Sequence, residues 1–267
     1  MAMFRELLRS ADRPVVGTFV KIPAIEVAEI VGDAGFDFVI IDTEHALLSV
    51  RDVYSLVVVY SRMGVAPLVR ITDHGYGDAQ RYLDAGAAGI LVPHVSNAAQ
   101  AASTMRRFRF PPEGTRGMGY AARAGLWGNL PGGPAEYVRV GQEDVARIAM
   151  IEEQESVDDL AGILAAPGVD GVFIGPGDLS LSMGVPGGSP AVHDAVTKCI
   201  ATAVAAGVPV GTVVAGAATV KDQIRLRAEQ GCRFILVGND TGMLGAAARA
   251  TMATARSALA VPSDEED

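Results

Sequence analysis

The sequence predicts an α/β protein of the (β/α)8 TIM-barrel class, built around a parallel sheet. Short apolar runs alternate with segments of helical character along all 267 residues. Runs without polar alternation are typical of parallel strands that helices cover on both faces. A Gly precedes several runs closely, at Gly35, Gly86, Gly168 and Gly231. Gly at that point indicates a helix C-cap followed directly by a strand.

The apolar runs place strands, in chain order, at residues 15–20, 37–42, 66–71, 88–93, 147–152, 170–175, 208–214 and 233–237. The intervening segments place helices at 24–34, 50–63, 78–85, 97–108, 155–166, 190–206, 218–230 and 241–258. Right-handed crossovers between such elements close a barrel. A doubly wound open sheet is the alternative, but no GxGxxG motif follows the first strand, which disfavours its dinucleotide-binding form.

One domain over residues 1–258 is expected, because barrels of this class are about 250 residues long. An acidic tail follows at 259–267. The longest irregular stretch, 110–134, is rich in Gly and Pro. A loop of that length in a compact domain usually has a function, such as a lid or a subunit contact.

The composition limits which kinds of molecule the protein is expected to bind. Hydrophobic residues make up 49% of the chain and the net charge is −9, so a large core is available and nucleic acid is disfavoured. Cys199 and Cys232 are the only cysteines, which indicates no disulfide framework and favours a reducing cytoplasm. No apolar signal segment begins the chain. Residues 199–220 are uncharged, but Gly207-Val208-Pro209 interrupts them, as in a helix–turn–strand passage rather than a membrane span.

Two acids stand at the ends of consecutive predicted strands. Glu152 closes the fifth strand and Asp178 follows the sixth, and the carboxyl ends of barrel strands are where active sites lie. Two carboxylates leave a divalent cation with open positions, which suits Mg²⁺ or Mn²⁺. Separate capping or salt-bridged acids are the structural alternative, and Glu153 and Glu155 are alternative ligands.

Two further strand ends and one helix carry candidates for acid–base and anion chemistry. Asp42 precedes His45 by three residues after the second strand and can orient it as a general base. Arg70 closes the third strand, where a guanidinium needs an acidic partner such as Asp42 or Glu44, or a substrate anion. Asp84, on the following helix, is a candidate for the same network.

Weaker candidates complete the set. The amides of Gly177 and Asp178 lie in a strand-to-helix turn that either binds a carboxylate or uses glycines only for shape. Lys21 is the one lysine that follows a strand in a position suited to a Schiff base. His94, after Val92-Pro93, is a second candidate histidine.

These motifs resemble the metal-dependent (class II) pyruvate aldolase family, whose members act on 4-hydroxy-2-oxoheptanedioate or 2-dehydro-3-deoxyglucarate. The resemblance spans about residues 4–255. The motifs that carry it are Asp42-Thr43-Glu44-His45, Pro67-Leu68-Val69-Arg70, Gly114-Thr115-Arg116-Gly117, Met150-Ile151-Glu152 and Gly171-Val172-Phe173-Ile174-Gly175-Pro176-Gly177-Asp178-Leu179-Ser180.

The resemblance implies Glu152 and Asp178 as ligands of Mg²⁺, Mn²⁺ or Co²⁺, and His45 as the base with Asp42 as its partner. It implies that Arg70 stabilises an enolate and that Asp84 belongs to the proton network. The amides of Gly177 and Asp178 would hold the pyruvate carboxylate. It further implies a homo-oligomer, trimeric or hexameric, with the last helix exchanged between subunits.

The resemblance implies reversible cleavage of 4-hydroxy-2-oxo acids into pyruvate and an aldehyde, through a metal-stabilised pyruvate enolate. This chain has Met150 where many relatives have Gln, which raises the alternative of a related lyase or decarboxylase acting on an oxo acid such as oxaloacetate. A catalytically silent oxo-acid-binding protein on the same scaffold is the third hypothesis.

Overall fold

Eight parallel strands close into a barrel, with each strand hydrogen-bonded to its neighbours in chain order and β8 paired with β1. The structure is a computed structural model that describes residues 3–72, 74, 77–215 and 220–259. The predicted (β/α)8 class is therefore confirmed. The strands are β1 (Val15–Val20), β2 (Phe38–Asp42), β3 (Ala66–Arg70), β4 (Gly89–Val92), β5 (Ala146–Ile151), β6 (Gly171–Ile174), β7 (Val210–Val214) and β8 (Phe234–Asn239).

Helices follow the strands and cover the outside of the barrel. They are α1 (Phe4–Ser10), α2 (Ile25–Asp33), α3 (Val50–Met63), α4 (Gly77–Ala85), α5 (Ala98–Arg106), α6 (Gly133–Glu143), α7 (Gln154–Asp158), α8 (Leu160–Ala165), α9 (Pro176–Ser182), α10 (Pro190–Ala205), α11 (Val220–Glu229) and α12 (Asp240–Leu259), with a 3-10 helix at Arg123–Gly128.

Several helices differ from the sequence-based expectation. The predicted helix at 155–166 is two helices, α7 and α8, and α1, α6 and α9 were not expected. α6 begins at Gly133, inside the stretch interpreted as irregular, because Pro134 occupies its first turn. Proline has no N–H to lose there, so a Gly-Gly-Pro sequence can begin a helix as well as a loop.

Two hydrophobic layers hold the barrel together. One fills its interior with inward-facing strand side chains, including Ile148, Met150, Phe173 and Leu236. The other lies between the strands and the surrounding helices. The outward and inward alternation along β5 puts Met150 and Glu152 on the inner side, so that Glu152 lies at the rim of the interior cluster.

Helix α1 closes the amino end of the barrel. The Phe4 ring is fully buried and lies 4.9 Å from the Phe38 ring and 5.3 Å from the Phe234 ring, both in edge-on geometry. Phe38 and Phe234 are the first residues of β2 and β8. One aromatic side chain therefore seals the end of the barrel opposite to the carboxyl ends of the strands.

The uncharged segment at 199–220 is not a membrane span. It contains the end of α10, a turn and β7, as predicted, while residues 216–219 lie outside the described residues. Among the residues described, no helix is long and apolar enough to cross a bilayer. Cys199 and Cys232 are free and buried. The expected acidic tail falls almost wholly on residues 260–267, outside the described part of the chain.

We expect Phe4→Ala to lower the free energy of unfolding by about 3–5 kcal/mol, because it leaves a cavity between two rings that cannot close over it. Urea denaturation followed by circular dichroism measures the change. Ile30→Ala, at a side chain that is 71% exposed, is the matched control and should change stability by less than about 0.5 kcal/mol. Equal effects of the two substitutions would contradict the sealing role of Phe4.

Candidate active site

Charged side chains from neighbouring strands converge at the carboxyl rim of the barrel. Asp42 ends β2 and Arg70 ends β3, and these two residues are direct partners in the register between the strands. Glu152 follows β5. The exposed fractions of Asp42, Arg70 and Glu152 are 0%, 5% and 1%. Buried charges at this density require partners, and the partners define the site.

A two-pronged ion pair joins Asp42 to Arg70. Arg70 Nε and Nη2 donate to Asp42 Oδ1 and Oδ2 at 3.0 and 2.8 Å, and Arg70 Nη1 lies 2.9 Å from Glu44 Oε2. Lys21 Nζ, beyond the end of β1, lies 3.2 Å from Asp42 Oδ2. Burial alone would raise the pKa of Asp42, but bonding and charge from Arg70, with help from Lys21, lower it below its usual value.

This ion pair answers a question left by the sequence. Arg70 pairs with both acids named as its possible partners, Asp42 and Glu44. Lys21 Nζ lies 3.2 Å from Asp42 Oδ2, in an ion pair with that buried carboxylate.

His45 is positioned by Asp42 through its backbone. Asp42 Oδ1 accepts hydrogen bonds from the N–H groups of Glu44 and His45, both at 3.2 Å. The expectation was that this carboxylate would orient the imidazole itself. In the structure the carboxylate faces Arg70, and the ring of His45 lies 3.9 Å from Glu44 Oε2 with 53% of its side chain exposed. The imidazole thus stands at the open mouth of the barrel.

Glu152 is a buried carboxylate whose two oxygens differ in their contacts. Its Oε1 accepts a 2.8 Å hydrogen bond from the backbone N–H of His94. Its Oε2 is buried and has no hydrogen-bond partner within the described ranges. Burial raises the pKa of Glu152 to about 7, and the negative charges of Asp178 and Glu44 also raise it. The backbone hydrogen bond and the charge of His94 lower this pKa. An unpartnered oxygen of this kind is suited to a cation.

Asp178 lies in the first turn of α9, close enough to act on the Glu152 carboxylate. Gly175 makes room for that carboxylate, because a Cβ at position 175 would stand 2.9 Å from Glu152 Oε2. A Cβ at Gly177 would meet nothing within 4 Å. The first N–H groups of a helix have no partner inside it, and Gly177 and Asp178 both lie in the first turn of α9.

The sequence analysis named His94 only as a second candidate histidine, but the structure places its ring at the mouth of the barrel. Its ring bridges two sides of the mouth, with Nε2 at 3.1 Å from Glu44 Oε1 and Nδ1 at 3.2 Å from Glu153 Oε1. Its backbone has φ 51°, a left-handed conformation that is uncommon for a non-glycine residue. Burial lowers the pKa of His94, but the charges of Glu152, Glu44 and Glu153 raise it overall. Its position two residues after the end of β4 was the available signal.

The alternative acids have structural partners. Glu153 caps α7 together with Ser156 and accepts a 2.8 Å hydrogen bond from Ser96 Oγ. Glu155 Oε1 accepts a bond from Asn97 Nδ2 at 3.4 Å. Glu153 directly follows the inward-facing Glu152, so strand alternation directs its side chain away from the interior, whereas Glu155 lies in α7.

Asp84 has partners other than Arg70 within this chain, and its role in the proton network stays a prediction. It was expected near Arg70, but its carboxylate Oδ1 accepts bonds from Arg116 Nη2 at 3.1 Å and Tyr137 Oη at 3.0 Å. Asp84 stands at the end of α4, shortly before β4 begins. A helix after a barrel strand returns the chain to the amino end of the sheet, so Asp84 and Arg70 lie toward opposite ends of one barrel.

The long segment between α5 and α6 lies with Asp84 instead of at the mouth. Its Arg116 guanidinium is 2% exposed in an ion pair with Asp84 and lies 4.6 Å from the Phe110 ring centre. The 3-10 helix in this segment packs on α4 and α6. Within one chain, therefore, Arg116 and the 3-10 helix belong to the surroundings of Asp84.

Glu152 and Asp178 are the two rim acids that the sequence predicts as cation ligands. Over the described residues, no group of three or more His, Cys, Asp and Glu side chains has the geometry of a metal cage. The carboxylates of Glu152 and Asp178 are hard oxygen donors, the type of ligand that Mg²⁺ and Mn²⁺ prefer.

We expect Asp42→Asn to destabilise the protein by about 3–5 kcal/mol at neutral pH, because it leaves Arg70 buried without its counter-charge. Because the pKa of Asp42 is lowered in the folded protein, the contribution of the ion pair to stability depends on pH. It is complete above the unfolded pKa of about 3.9 and is lost as pH falls through the lower folded value.

Urea midpoints of the wild type and Asp42→Asn, measured from pH 7 to pH 2.5, test this expectation. The difference should be constant near neutrality and shrink below about pH 4. Asp78→Asn is the control, since Asp78 pairs with Arg81 on the surface with both side chains at least 60% exposed and should contribute less than about 1 kcal/mol. A difference that persists undiminished in acid would contradict the role of the ion pair.

Known proteins resemble this chain over nearly its whole length. A 4-hydroxy-2-oxo-heptane-1,7-dioate aldolase of Salmonella arizonae is 36% identical over 253 residues, covering 94% of this chain and 93% of that protein. The crystal structure of an HpcH/HpaI aldolase from Desulfitobacterium hafniense superposes with a TM-score of 0.87 at 32% identity, covering 96% of this chain and 97% of that one.

A more distant structure shares the fold alone. The citrate lyase beta subunit of M. tuberculosis, described as complexed with oxaloacetate and magnesium, is 18% identical with a TM-score of 0.57, covering 88% of this chain and 94% of that one. The family model for HpcH/HpaI aldolase/citrate lyase matches residues 16–247. The predicted family is thereby confirmed, and the chain belongs to the HpcH/HpaI aldolase/citrate lyase family.

Proposed function

We propose that this chain is a metal-dependent aldolase that reversibly cleaves 4-hydroxy-2-oxo acids into pyruvate and an aldehyde. The observation that carries the proposal is the free, buried Oε2 of Glu152 beside Asp178, across the mouth from the Asp42–Arg70 pair. The aldolase activity named for the Salmonella arizonae relative supports the same reaction class.

Glu152 and Asp178 are the residues that would hold the divalent cation, with Mg²⁺, Mn²⁺ or Co²⁺ as candidates. The fit rests on the unpartnered Oε2 and on the raised pKa of Glu152, because a cation between the acids would favour their charged forms. When bound, the metal supplies Lewis acidity toward the carboxylate and keto oxygens of the substrate.

The chain's own donors complete the substrate site. The amides of Gly177 and Asp178, in the first turn of α9, are free to hold the carboxylate of the oxo acid. Arg70 is fixed by Asp42 and Glu44 and presents a positive charge where the enolate oxygen would form. A guanidinium that does not have to reorganise stabilises such a charge strongly.

His45 is the general base of the proposed reaction. Its exposed imidazole removes the proton of the 4-hydroxyl group, the C3–C4 bond breaks, and the aldehyde leaves with its new carbonyl. The electron pair of the broken bond forms the pyruvate enolate, which takes a proton at C3 to become pyruvate. The backbone bond from His45 to Asp42 holds the base relative to Arg70.

Met150 favours a second candidate function. This side chain packs in the barrel interior directly below Glu152, with its methyl carbon 3.4 Å from a Cβ position built on Gly175. A thioether donates no hydrogen bond, so a substrate oxygen near it loses a contact that Gln would provide. A related oxo-acid lyase or an oxaloacetate decarboxylase fits this change. Pyruvate release from 4-hydroxy-2-oxo acids, compared with decarboxylation of oxaloacetate, separates the two functions.

The cellular location and the oligomeric state of the enzyme are part of the proposal. A cytoplasmic location fits the two free, buried cysteines. A homo-oligomer, trimeric or hexameric, fits the last helix, since α12 runs for 20 residues with only Asp240 buried and leaves Met243, Leu244 and Met252 exposed. Exchange of this helix between subunits would cover those side chains.

We expect Arg70→Ala to lower kcat about 10²–10³-fold, the usual effect of losing one donor to a developing oxyanion. Steady-state pyruvate release from a 4-hydroxy-2-oxo acid measures it, with circular dichroism as the check on folding. Arg81→Ala, at a guanidinium that is 64% exposed, is the matched control and should keep the wild-type rate. Turnover within a few-fold of wild type in Arg70→Ala would remove Arg70 from the reaction.

We expect EDTA to abolish activity and Mn²⁺ or Mg²⁺ to restore it, because the proposed reaction needs a Lewis acid. Calorimetric titration of Mn²⁺ should show a binding site that Glu152→Gln weakens at least about tenfold, since one of two ligands loses its charge. Full activity in EDTA, with borohydride trapping of substrate on Lys21, would instead support the Schiff-base route.

A further inference from the structure

One imidazole at the barrel mouth has no part in the reaction proposed above. His94 follows β4 by two residues, and 49% of its side chain is exposed. The strand β4 lies between β3, which ends at Arg70, and β5, after which Glu152 follows. His94 therefore stands at the rim between the guanidinium and the carboxylate on which the candidate site depends.

The backbone of His94 holds one oxygen of Glu152. Its φ of 51° is a left-handed conformation that persists at a histidine only where the surroundings stabilise it. In this conformation the His94 N–H donates to Glu152 Oε1 at 2.8 Å. Glu152 Oε2 is then the oxygen that has no hydrogen-bond partner among the residues described. The backbone at position 94 thus determines which oxygen of Glu152 stays available.

Both ring nitrogens of His94 face carboxylate oxygens. Nδ1 lies 3.2 Å from Glu153 Oε1, and Nε2 lies 3.1 Å from Glu44 Oε1. Glu153 is itself fixed, because it caps α7 and accepts a 2.8 Å hydrogen bond from Ser96 Oγ. The ring is therefore anchored at Glu153 on one side and contacts Glu44 on the other.

Glu44 connects this ring to Arg70. The Glu44 side chain is 10% exposed, and its Oε2 lies 2.9 Å from Arg70 Nη1. Asp42 binds the other two nitrogens of the same guanidinium, Nε and Nη2. A glutamate side chain has several rotatable bonds, so a contact at its second oxygen is needed to keep it in one rotamer. His94 Nε2 supplies that contact.

We propose that His94 is a positioning residue for Arg70 and acts through Glu44. The inference rests on the proposed aldolase function, in which Arg70 stabilises the enolate oxygen. The His94 ring sets the conformation of Glu44, and Glu44 together with Asp42 sets the direction of the guanidinium. Stabilisation of a developing oxyanion requires donors that are in place before the reaction begins. A displaced guanidinium loses that stabilisation although the protein stays folded.

Substitutions that keep one polar position of the ring at a time test the proposal. His94→Gln places an amide near the position of Nε2 and can reach Glu44, whereas His94→Asn reaches only the position of Nδ1, beside Glu153. We expect His94→Asn to lower kcat for pyruvate release about ten- to a hundredfold, the scale of a misplaced catalytic group, and His94→Gln to stay within about threefold of wild type. Asparagine accepts a left-handed backbone better than glutamine, so an effect on stability alone would act in the opposite direction. His193→Asn, at an exposed histidine of α10, is the matched control and should keep the wild-type rate.

A double-mutant cycle tests whether the effect passes through Glu44. In a Glu44→Gln background, His94→Asn should have little further effect on kcat, because both substitutions then disrupt the same contact. Calorimetric titration of Mn²⁺ should show an affinity for His94→Asn at least equal to that of the wild type, because the bond from position 94 to Glu152 comes from the backbone. Lower kcat without weaker metal binding separates the positioning of Arg70 from damage to the cation ligands.

The reactivity of Arg70 toward phenylglyoxal, followed by peptide mass spectrometry, gives a readout that needs no turnover. Modification of Arg70 should be at least about threefold faster in His94→Asn than in the wild type or His94→Gln, because a guanidinium with fewer charged contacts is held less firmly. If the wild type releases no pyruvate, the proposed function fails and this readout alone decides the role of His94.

Three outcomes would overturn the positioning role of His94. One is wild-type Arg70 reactivity or wild-type kcat in His94→Asn. Another is an equal loss of activity in His94→Gln and His94→Asn, which would make the ring a general packing element. The third is an undiminished effect of His94→Asn in the Glu44→Gln background, which would exclude Glu44 as the link to Arg70.

Discussion

The buried ion pair between Asp42 and Arg70 is the interaction on which the candidate site depends. It joins the ends of β2 and β3 through two hydrogen bonds, receives Lys21 from beyond β1, and fixes the backbone of Glu44 and His45. Because the pair is excluded from water, neither partner can be removed without leaving a charge unpaired. One carboxylate therefore determines where the arginine points and where the histidine leaves the barrel.

The opposite side of the barrel mouth, around Glu152, is not fully paired in the same way. Among the described residues, Glu152 Oε2 is buried without a hydrogen-bond partner, and the absence of a Cβ at Gly175 leaves space for it. Burial raises the pKa of this carboxyl to about 7. His94 links the two sides through Glu44 and Glu153. The Asp42–Arg70 side of the mouth, whose charges are paired, thus faces the Glu152 side, where a carboxylate oxygen can still accept a ligand. Paired charges on one side and a spare oxygen on the other suit metal-assisted chemistry.

Much of this arrangement was readable from the chain. Each apolar run that ended in a charged residue was a strand, and closure of the barrel brought Asp42, Arg70 and Glu152 to one rim. The pairing of Arg70 with Asp42 and Glu44 also followed from residue order. Helix α6 was missed because Gly-Gly-Pro begins loops and helices equally well. The bridging role of His94 was underestimated because a left-handed backbone at a histidine leaves no mark in the sequence.

The sequence by itself determined the barrel, the family and the rim on which the charged residues stand, because these depend on hydrophobic periodicity and on local order along the chain. Only the tertiary structure decided that Asp42 bonds to the backbone of His45 and not to its ring. It also decided that Asp84 joins Arg116 at the far end. Such choices depend on distances between residues far apart in the chain, where packing and burial select one partner among several acids.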